Sequence, residues 1–218
     1  AYTALYVGLG AALMATISGI VIGLASAYFA GATDFILQRI MDTLQAFPPL
    51  VLLLLFGQVV SSPTMTVNTI SLGILGVASS TRIVRSAVLA TREEVYVLAA
   101  RTVGGSDLRI MFRHILPNVL PVALATMLLN VAFALVAMSA LSFLGLGAQP
   151  PVAELGTMAS AGRNELFLAP HISVTPSLLI GAVMVALFLL AALLAPTEVL
   201  AQQHHRSITA LLGDLAGG

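Results

Sequence analysis

The chain has 218 residues, of which 59% are hydrophobic and only 8% are charged, with a formal net charge of zero and a mean hydropathy of +1.04. A soluble domain of ordinary composition carries about 25% charged residues, so this composition excludes that class and indicates a membrane protein. The sequence contains no cysteine, which excludes disulfides and cysteine-based metal sites. All nine basic residues are Arg, and the absence of Lys excludes a P-loop, whose Lys reaches the nucleotide phosphates.

Four stretches of the chain contain no Asp, Glu, Lys or Arg, and they predict membrane spans because a spanning helix needs about 20 apolar residues. These stretches cover residues 1–33, 43–81, 114–153 and 166–197. We predict five spanning helices, at about 3–29, 44–60, 67–84, 118–141 and 175–195. The predicted fold class is all-α, a polytopic transmembrane helix bundle, since nothing in the sequence alternates with period two.

The first predicted helix carries small residues at a spacing of four. They are Ala11, Ala15, Gly19, Gly23, Ala27 and, beyond them, Gly31. Such a stripe lets helix backbones approach closely in lipid. Packing within the bundle is the interpretation that we favour, and a pore-lining or gating helix is the alternative.

The distribution of Arg orients the bundle, because cytoplasmic loops carry an excess of Lys and Arg. Six of the nine lie between the third and fourth predicted helices: Arg82, Arg85, Arg92, Arg101, Arg109 and Arg113. We expect this connection, the connection between the first two helices and the C-terminus to be cytoplasmic, which leaves only Arg163 outside. The first helix then begins outside, and a cytoplasmic N-terminus implies one further helix upstream of Ala1.

The connection between the third and fourth predicted helices has the pattern of two short helices joined by a sharp turn. Residues 92–103 are good helix formers, and Gly104 suits the left-handed position that ends a helix. Ser106 or Asp107 can then cap a second helix. Its apolar residues recur at three- and four-residue spacing: Leu108, Met111, Phe112 and Ile115. An amphipathic helix of this kind suits a groove on a partner, and a partnerless helix on the membrane surface is the alternative.

This connection resembles the EAA signature of importer-type ABC permeases, in which Glu-Ala-Ala precedes a Gly and, further on, Leu-Pro. The matching residues are Ala99, Ala100, Gly104, Leu116 and Pro117. Leu98 stands in place of the Glu, and His114 stands where the pattern prefers Ile. The run from Gly104 to Asn118 is similar to the dipeptide, oligopeptide and nickel branch in particular.

Two further segments resemble the same family, so that the likeness covers roughly residues 5–195. Residues 31–48, with Asp34, Arg39 and Asp42, look like the segment before the family's next core helix. Residues 141–151, together with Gly156, Met158, Gly162 and Arg163, are similar to the outer loop of the peptide and nickel branch.

The resemblance implies a transmembrane permease domain over residues 1–200 and a cytoplasmic tail over 201–218. Within the domain it implies a coupling loop (residues 86–117) and an outer loop (residues 142–174). The coupling loop is expected to contact an ATPase through Ala99, Ala100, Gly104, Gly105, Ser106, Asp107, Leu108, Leu116 and Pro117. In the outer loop, Gln149, Pro150 and Arg163 are candidates, with Glu154 and Glu165 nearby, for meeting a substrate-delivering protein or gating the outer mouth. Solvated loop charges are the alternative.

The predicted spans contain no ionisable residue near their centres, which argues against an ion-coupled transporter acting alone. We therefore expect the pathway to be lined by small, hydroxyl and amide groups. The candidates are Ser79, Ser80, Asn130 and Ser139.

The resemblance implies that the chain is a multi-pass permease subunit of an ATP-driven importer in the cell inner membrane. It is expected to have no catalytic residue, no metal site and no cofactor of its own, with ATP and Mg on partner subunits. The expected partners are a second permease subunit related to this one, two ABC ATPase subunits, an extracytoplasmic substrate-binding protein and membrane lipid, but no nucleic acid. A di- or oligopeptide is the expected substrate, with nickel or a glutathione-like solute as alternatives. A secondary transporter and a membrane scaffold are the other classes to be distinguished.

Overall fold

The computed structural model describes residues 2–59, 65–147 and 152–216, and of residues 57–59 and 195–216 it describes only the helical backbone. Every regular element in these ranges is helical, which confirms the all-α class. The helices are α1 (Tyr2–Phe29), α2 (Gly31–Gln45), α3 (Pro49–Val59), α4 (Met65–Thr91), α5 (Val95–Thr102), α6 (Asp107–Ile110), α7 (Leu116–Phe143), α8 (Leu155–Ala161) and α9 (His171–Ala216). A π-helical turn (Met111–Ile115) joins α6 to α7, and a 3-10 helix (Gly162–Glu165) follows α8.

Four helices in the described ranges are long and apolar enough to cross a membrane: α1, α4, the continuous helix Asp107–Phe143, and α9 over His171–Leu194. The single helix predicted at 44–60 is wrong, because α2 ends at Gln45 and α3 begins at Pro49 after a bend of 81°. Consecutive prolines at 48 and 49 cause the break, since proline disfavours helical geometry in the residue before it. These two helices pass as a fifth candidate span only when they are counted together as one bent pair.

The small residues of α1 allow it to pack closely along α4. Ala11, Ala15, Gly19, Gly23 and Ala27 are all buried. A Cβ atom added at Gly19 would lie 2.5 Å from the Ser80 Cβ, and one at Gly23 would lie 2.8 Å from the Thr81 carbonyl oxygen. Bundle packing is therefore the correct interpretation of the stripe as far as Ala27.

The fourth predicted span begins earlier than position 118, because α6, the π turn and α7 form one continuous helix from Asp107 to Phe143. The π turn ends two residues before Pro117 and six residues before a second proline inside α7, Pro121. A proline removes a helical hydrogen bond and crowds the carbonyl four residues earlier, and a widened turn accommodates this. As a result, the second helix of the coupling loop is a direct extension of a spanning helix.

The last helix, α9, stands at the edge of the bundle and packs on α7 and α8. Only 6% of its spanning window is buried, so most of its apolar side chains face lipid or another subunit. Its backbone stays helical past the predicted end at 195 and through Ala216. The helix passes through Pro196, where proline is unfavourable, and the Ala, Leu and Gln residues further along are good helix formers.

Candidate coupling site and pathway

The turn of the coupling loop is built on Gly104 and Gly105. Gly104 has a φ of +81°, which confirms the left-handed position expected of it. The Gly105 N–H donates to the Ala100 carbonyl and the Gly104 N–H to the Arg101 carbonyl, both at 3.0 Å, so the turn is a Schellman motif. A Cβ atom at Gly105 would lie 2.8 Å from the Ala100 carbonyl oxygen. One glycine is thus needed for its conformation and the other for a close approach.

The second helix of the loop begins after Ser106, as predicted, but the Ser106 side chain makes no capping hydrogen bond. The Asp107 carboxylate does not cap the helix either. It accepts a hydrogen bond of 2.6 Å from the hydroxyl of Tyr28, near the end of α1. No local pattern indicates this contact, because the two residues are 79 positions apart.

Two cations of the coupling loop also contact the end of α1. The Arg101 guanidinium lies 5.1 Å from the centroid of the Tyr28 ring. Arg92 donates from Nη1 to the Ala27 carbonyl oxygen at 2.6 Å, where the helix dipole favours positive charge. Together with Asp107, these two residues attach the coupling loop to Tyr28 and Ala27 at the end of α1.

The predicted apolar face of the second loop helix is only half right. Met111 and Ile115 are buried, together with Ile110, in a cluster that includes residues of α1, α4 and α7. Leu108 and Phe112 point outward and are 66% and 58% exposed. The π turn explains the difference, because it adds a residue to the turn and shifts the buried face to a spacing of four to five.

The exposed part of the coupling loop combines large apolar side chains with Arg. The exposed apolar residues are Val95, Leu98, Val103, Leu108 and Phe112. Arg109 and Arg113 are exposed on the same helix as Leu108 and Phe112. We call these seven residues the loop surface. Of the remaining motif residues, Ala99, Ser106 and Pro117 are also exposed, while Ala100 and Leu116 pack partly against the buried cluster.

A tyrosine between the loop-surface residues Val95 and Leu98 keeps a neutral hydroxyl. Partial burial raises the pKa of Tyr96, and the neighbouring Glu94 carboxylate raises it further. The Tyr96 hydroxyl therefore stays protonated at neutral pH and can donate a hydrogen bond to a partner.

Two ion pairs hold α2 against α4. Arg85 donates to both Asp34 carboxylate oxygens, from Nε at 2.7 Å and from Nη2 at 2.5 Å. Arg82 donates from Nη2 to Asp42 at 2.6 Å. Ser26 of α1 donates to the same Asp34 carboxylate, so that pair links three helices. The helical spacing of 34 with 42 and of 82 with 85 places each set on one face and was a signal available in the sequence.

Three of the four predicted pathway residues lie together beside a cavity of about 510 Å³. The polar groups that line it are Gln45, Ser79, Thr126 and Asn130, and its aromatic walls are Phe47, Phe133 and Phe188. Asn130 donates from Nδ2 at 2.7 Å to the hydroxyl of Ser80, which is fully buried behind the cavity. The cavity opens beside the bend between α2 and α3, where Gln45, Phe47 and Pro49 line it.

The fourth predicted pathway residue, Ser139, lies elsewhere, against Glu154 of the outer loop. The Ser139 hydroxyl donates to Glu154 Oε1 at 3.3 Å. Glu154 is fully buried, and its Oε2 accepts from the N–H groups of Gly156 and Thr157 at 2.7 and 3.3 Å. The interpretation of Glu154 as a solvated loop charge is therefore wrong, because the side chain caps α8 inside the protein.

The other outer-loop candidates have different outcomes. Arg163 and Glu165 are exposed in the 3-10 helix that follows α8, where they are free to meet another protein. Gln149 and Pro150 lie outside the residues that the structure describes.

Comparison with known proteins gives consistent matches. A family described as "Binding-protein-dependent transport system inner membrane component" matches residues 19–207. A putative peptide transport system permease protein of Brucella suis is 39% identical over 185 residues, which cover 82% of this chain and 62% of that protein. The glutathione transport system permease protein GsiD of Pectobacterium atrosepticum is 33% identical over 183 residues, or 84% of this chain and 60% of that protein. The oligopeptide transport system permease protein OppC of Bacillus subtilis is 38% identical over 166 residues, covering 76% and 54%.

The chain thus spans about 60% of the length of the curated relatives that it matches. Two solved structures share its fold. An inward-facing structure of the MetNI methionine ABC transporter matches with a TM-score of 0.66 at 15% identity, covering 88% of this chain and 93% of that one. An amino acid ABC transporter solved with histidines matches with a TM-score of 0.59 at 21% identity, covering 90% and 94%.

Proposed function

Because the chain belongs to the family of binding-protein-dependent transport system inner membrane components, we propose that it is a permease subunit of an ATP-driven ABC importer. The observation that carries this proposal is the coupling loop. Its Gly104–Gly105 turn carries the motif on which the resemblance to ABC permeases rests, and the loop presents large apolar side chains away from the spans. The chain supplies the membrane pathway, and separate ATPase subunits bind ATP and Mg.

The loop surface is the contact for the ATPase. Val103, Leu108 and Phe112 are each more than half exposed. Val103 lies outside the candidate spans, and Leu108 and Phe112 lie in the first turns of one. Exposed apolar side chains grouped with Arg are typical of a protein interface, where they become buried in a groove of the partner. Leu98 stands where the motif usually has Glu, so this contact is apolar in the present chain.

The substrate is a short peptide or a solute that contains peptide bonds, such as glutathione. Two of the relatives are named for peptide and oligopeptide transport, and another for glutathione transport. The cavity beside Asn130 supports this class, because amide and hydroxyl groups can both donate to and accept from the substrate's amide groups. Nickel, the other alternative, rests on the sequence resemblance alone.

The remaining partners follow from the same premise. A second permease subunit completes the pathway, and an extracytoplasmic binding protein delivers the substrate to the outer loop, where Arg163 and Glu165 are exposed. The coupling loop and the C-terminus face the cytoplasm of a cell whose inner membrane holds the bundle. Six Arg between the third and fourth predicted helices support this orientation.

The transport cycle changes the populations of two conformational states of the helix bundle. ATP binding brings the two ATPase subunits together, and they move the coupling loops that they hold. A partner shifts such an equilibrium only by binding one state better than the other, so the loop surface must present itself differently in the two states. The cavity is then open to one side of the membrane or to the other.

One substitution tests the ATPase contact. Phe112→Glu places a carboxylate in the apolar interface, and we expect the ATPase to lose at least about tenfold in the amount that co-purifies with the permease, because an unpaired charge is costly to bury. The matched control is Phe167→Glu, since Phe167 is also an exposed phenylalanine but belongs to the outer loop. If both variants co-purify with equal amounts of the ATPase, the loop surface is not the ATPase contact.

A further inference from the structure

A buried tyrosine near the end of α1 contacts the coupling loop on both sides of its turn. Tyr28 is only 9% exposed, yet its hydroxyl reaches the Asp107 carboxylate, which lies directly after the Gly104–Gly105 turn. A hydrogen bond to an ionised acceptor is roughly twice as strong as a neutral one, and the 2.6 Å distance agrees with that class. Arg101 covers the ring face of the same tyrosine, so two groups on either side of the turn hold it.

The tyrosine belongs to a helix that packs closely on its neighbour, α4. The backbone of α1 lies so close to α4 at Gly19 and Gly23 that a single added carbon at either position would collide with α4. The α4 residue against Gly19 is Ser80. Ser80 in turn accepts the hydrogen bond of Asn130, which lines the cavity.

These contacts connect the coupling turn to the cavity through a continuous series of neighbouring residues. It runs from Asp107 to Tyr28, along α1 to Gly19, across to Ser80 and on to Asn130. The direct covalent route from the turn runs instead through the π turn into α7. A π turn lacks the regular hydrogen-bond ladder of an α-helix and is a place where helices bend. The contacts through α1 therefore add a route to α4 that bypasses the π turn, beside the covalent link through α5.

We propose that Tyr28 is a positioning residue for transport, through which the coupling turn moves α1 and α4 together and so reshapes the cavity at Asn130. The proposal rests on the proposed function, since it needs an ATPase acting on the coupling loop. It assigns a role to a residue outside the coupling motif. It also explains why Asp107 points to α1 and leaves its own helix uncapped.

The test is the ratio of substrate transported to ATP hydrolysed, measured on the complete transporter in proteoliposomes. Tyr28→Phe removes only the hydroxyl, and we expect this ratio to fall at least about threefold, because a hydrogen bond to a charged group is lost. ATPase co-purification should be unchanged. The matched control is Tyr6→Phe, because Tyr6 lies on the same helix but is exposed and makes no side-chain hydrogen bond among the described residues. Its ratio should equal that of the unaltered protein.

The partner residue supplies the second arm of the test. Asp107→Ala should lower the ratio as Tyr28→Phe does, and the double variant should be no worse than either single one, because both remove the same contact. Asp107→Asn keeps an acceptor oxygen for Tyr28 and should retain most of the ratio. A normal ratio for Tyr28→Phe, or fully additive losses in the double variant, would overturn the inference.

Failure of the proposed function looks different from failure of this inference. If substrate does not stimulate the ATPase even with the unaltered chain, the chain is not a coupled permease subunit. If the unaltered chain couples and Tyr28→Phe couples equally well, only the role of Tyr28 is lost. The amount of assembled transporter and of co-purified ATPase is measured for each variant. If Tyr28→Phe does not assemble, Asp107→Ala decides the question: a lower ratio with normal ATPase co-purification supports the inference, and a normal ratio or a loss of ATPase overturns it.

Discussion

At the scale of single residues, Gly104 shows how a local conformation serves the whole protein. Its φ of +81° belongs to a region that L-residues avoid, and no atom lies within 4 Å of the place where a Cβ would stand. Glycine is therefore required at this position for its backbone conformation, and not because a side chain would collide with a neighbour. Sequence reasoning found it, because helix propensity before a glycine pair is a local signal.

Replacing Gly104 by Ala should weaken coupling by straining the turn. The left-handed conformation costs an L-residue about 1–2 kcal/mol, so the turn opens or shifts, and we expect substrate-stimulated ATPase activity to fall severalfold. A bulky charged residue such as Glu should do at least as much, while the bundle still inserts into the membrane. The matched control is Gly181→Ala in α9, which also has free space around it but no positive φ. Unchanged stimulation in Gly104→Ala would show that the turn geometry does not matter for coupling.

The contacts that the sequence did not reveal at this scale join distant positions. Tyr28 and Asp107 meet because α1 and the coupling loop happen to end at the same place in the bundle, and no periodicity in either segment encodes that. The same holds for Glu154, which the composition of its loop suggests to be solvated. Its burial depends on α7 supplying Ser139 and on α8 beginning directly after it.

At the scale of helices, two proline-linked features changed the predicted elements. The prolines at 48 and 49 separate α3 from the end of α2 within the span predicted at 44–60, and the π turn before Pro117 joins a loop helix to α7. An apolar run gives the length of a span but does not say whether its axis is straight. The register of the π turn also moved Leu108 and Phe112 from the predicted buried face to the surface.

The ion pair between Asp34 and Arg85 should stabilise the attachment of α2 to α4. Their side chains are 22% and 29% exposed, whereas those of Asp42 and Arg82 are 50% and 45% exposed. We expect Asp34→Ala to lower the free energy of unfolding by about 1–3 kcal/mol, since it leaves a partly buried Arg without its partner. Asp42→Ala, the matched control, should cost less than about 1 kcal/mol, as exposed pairs do.

Thermal unfolding of the purified chain in detergent measures both variants side by side. The exchange Asp34→Arg with Arg85→Asp should recover part of the loss, because it rebuilds the pair in reverse. Equal losses for Asp34→Ala and Asp42→Ala would contradict the assignment of Asp34 as the main anchor of α2.

At the scale of the whole molecule, the charge-free stretches and the small-residue stripe were enough to predict a helical membrane bundle. These features are global, because lipid excludes charge from a span wherever the span lies in the sequence. The order of packing was not predictable from them. The run of α9 has the highest mean hydropathy of the four candidate spans, 2.8, but hydropathy gives no packing partner, and the described chain leaves this span almost uncovered.

Its uncovered position suggests how the protein is completed. A span with only 6% of its window buried needs lipid or another subunit along most of its length. The cavity beside Asn130 is also open on one side, where a second permease subunit can close it. The pathway is thus expected to be formed by two permease subunits, with the coupling loops of both reaching ATPase subunits on one side of the membrane.

The central claim is that this chain moves its substrate with energy from a separate ATPase, and peptide uptake into proteoliposomes tests it most directly. The full-length chain is reconstituted with its second permease, its ATPase subunits and its binding protein, and uptake of a labelled peptide is measured with ATP on the side of the coupling loop. We predict uptake that requires ATP, the ATPase subunits and the binding protein, and that persists when an ionophore removes ion gradients. Uptake by the chain alone, driven by an ion gradient without ATP, would contradict the account and identify a secondary transporter.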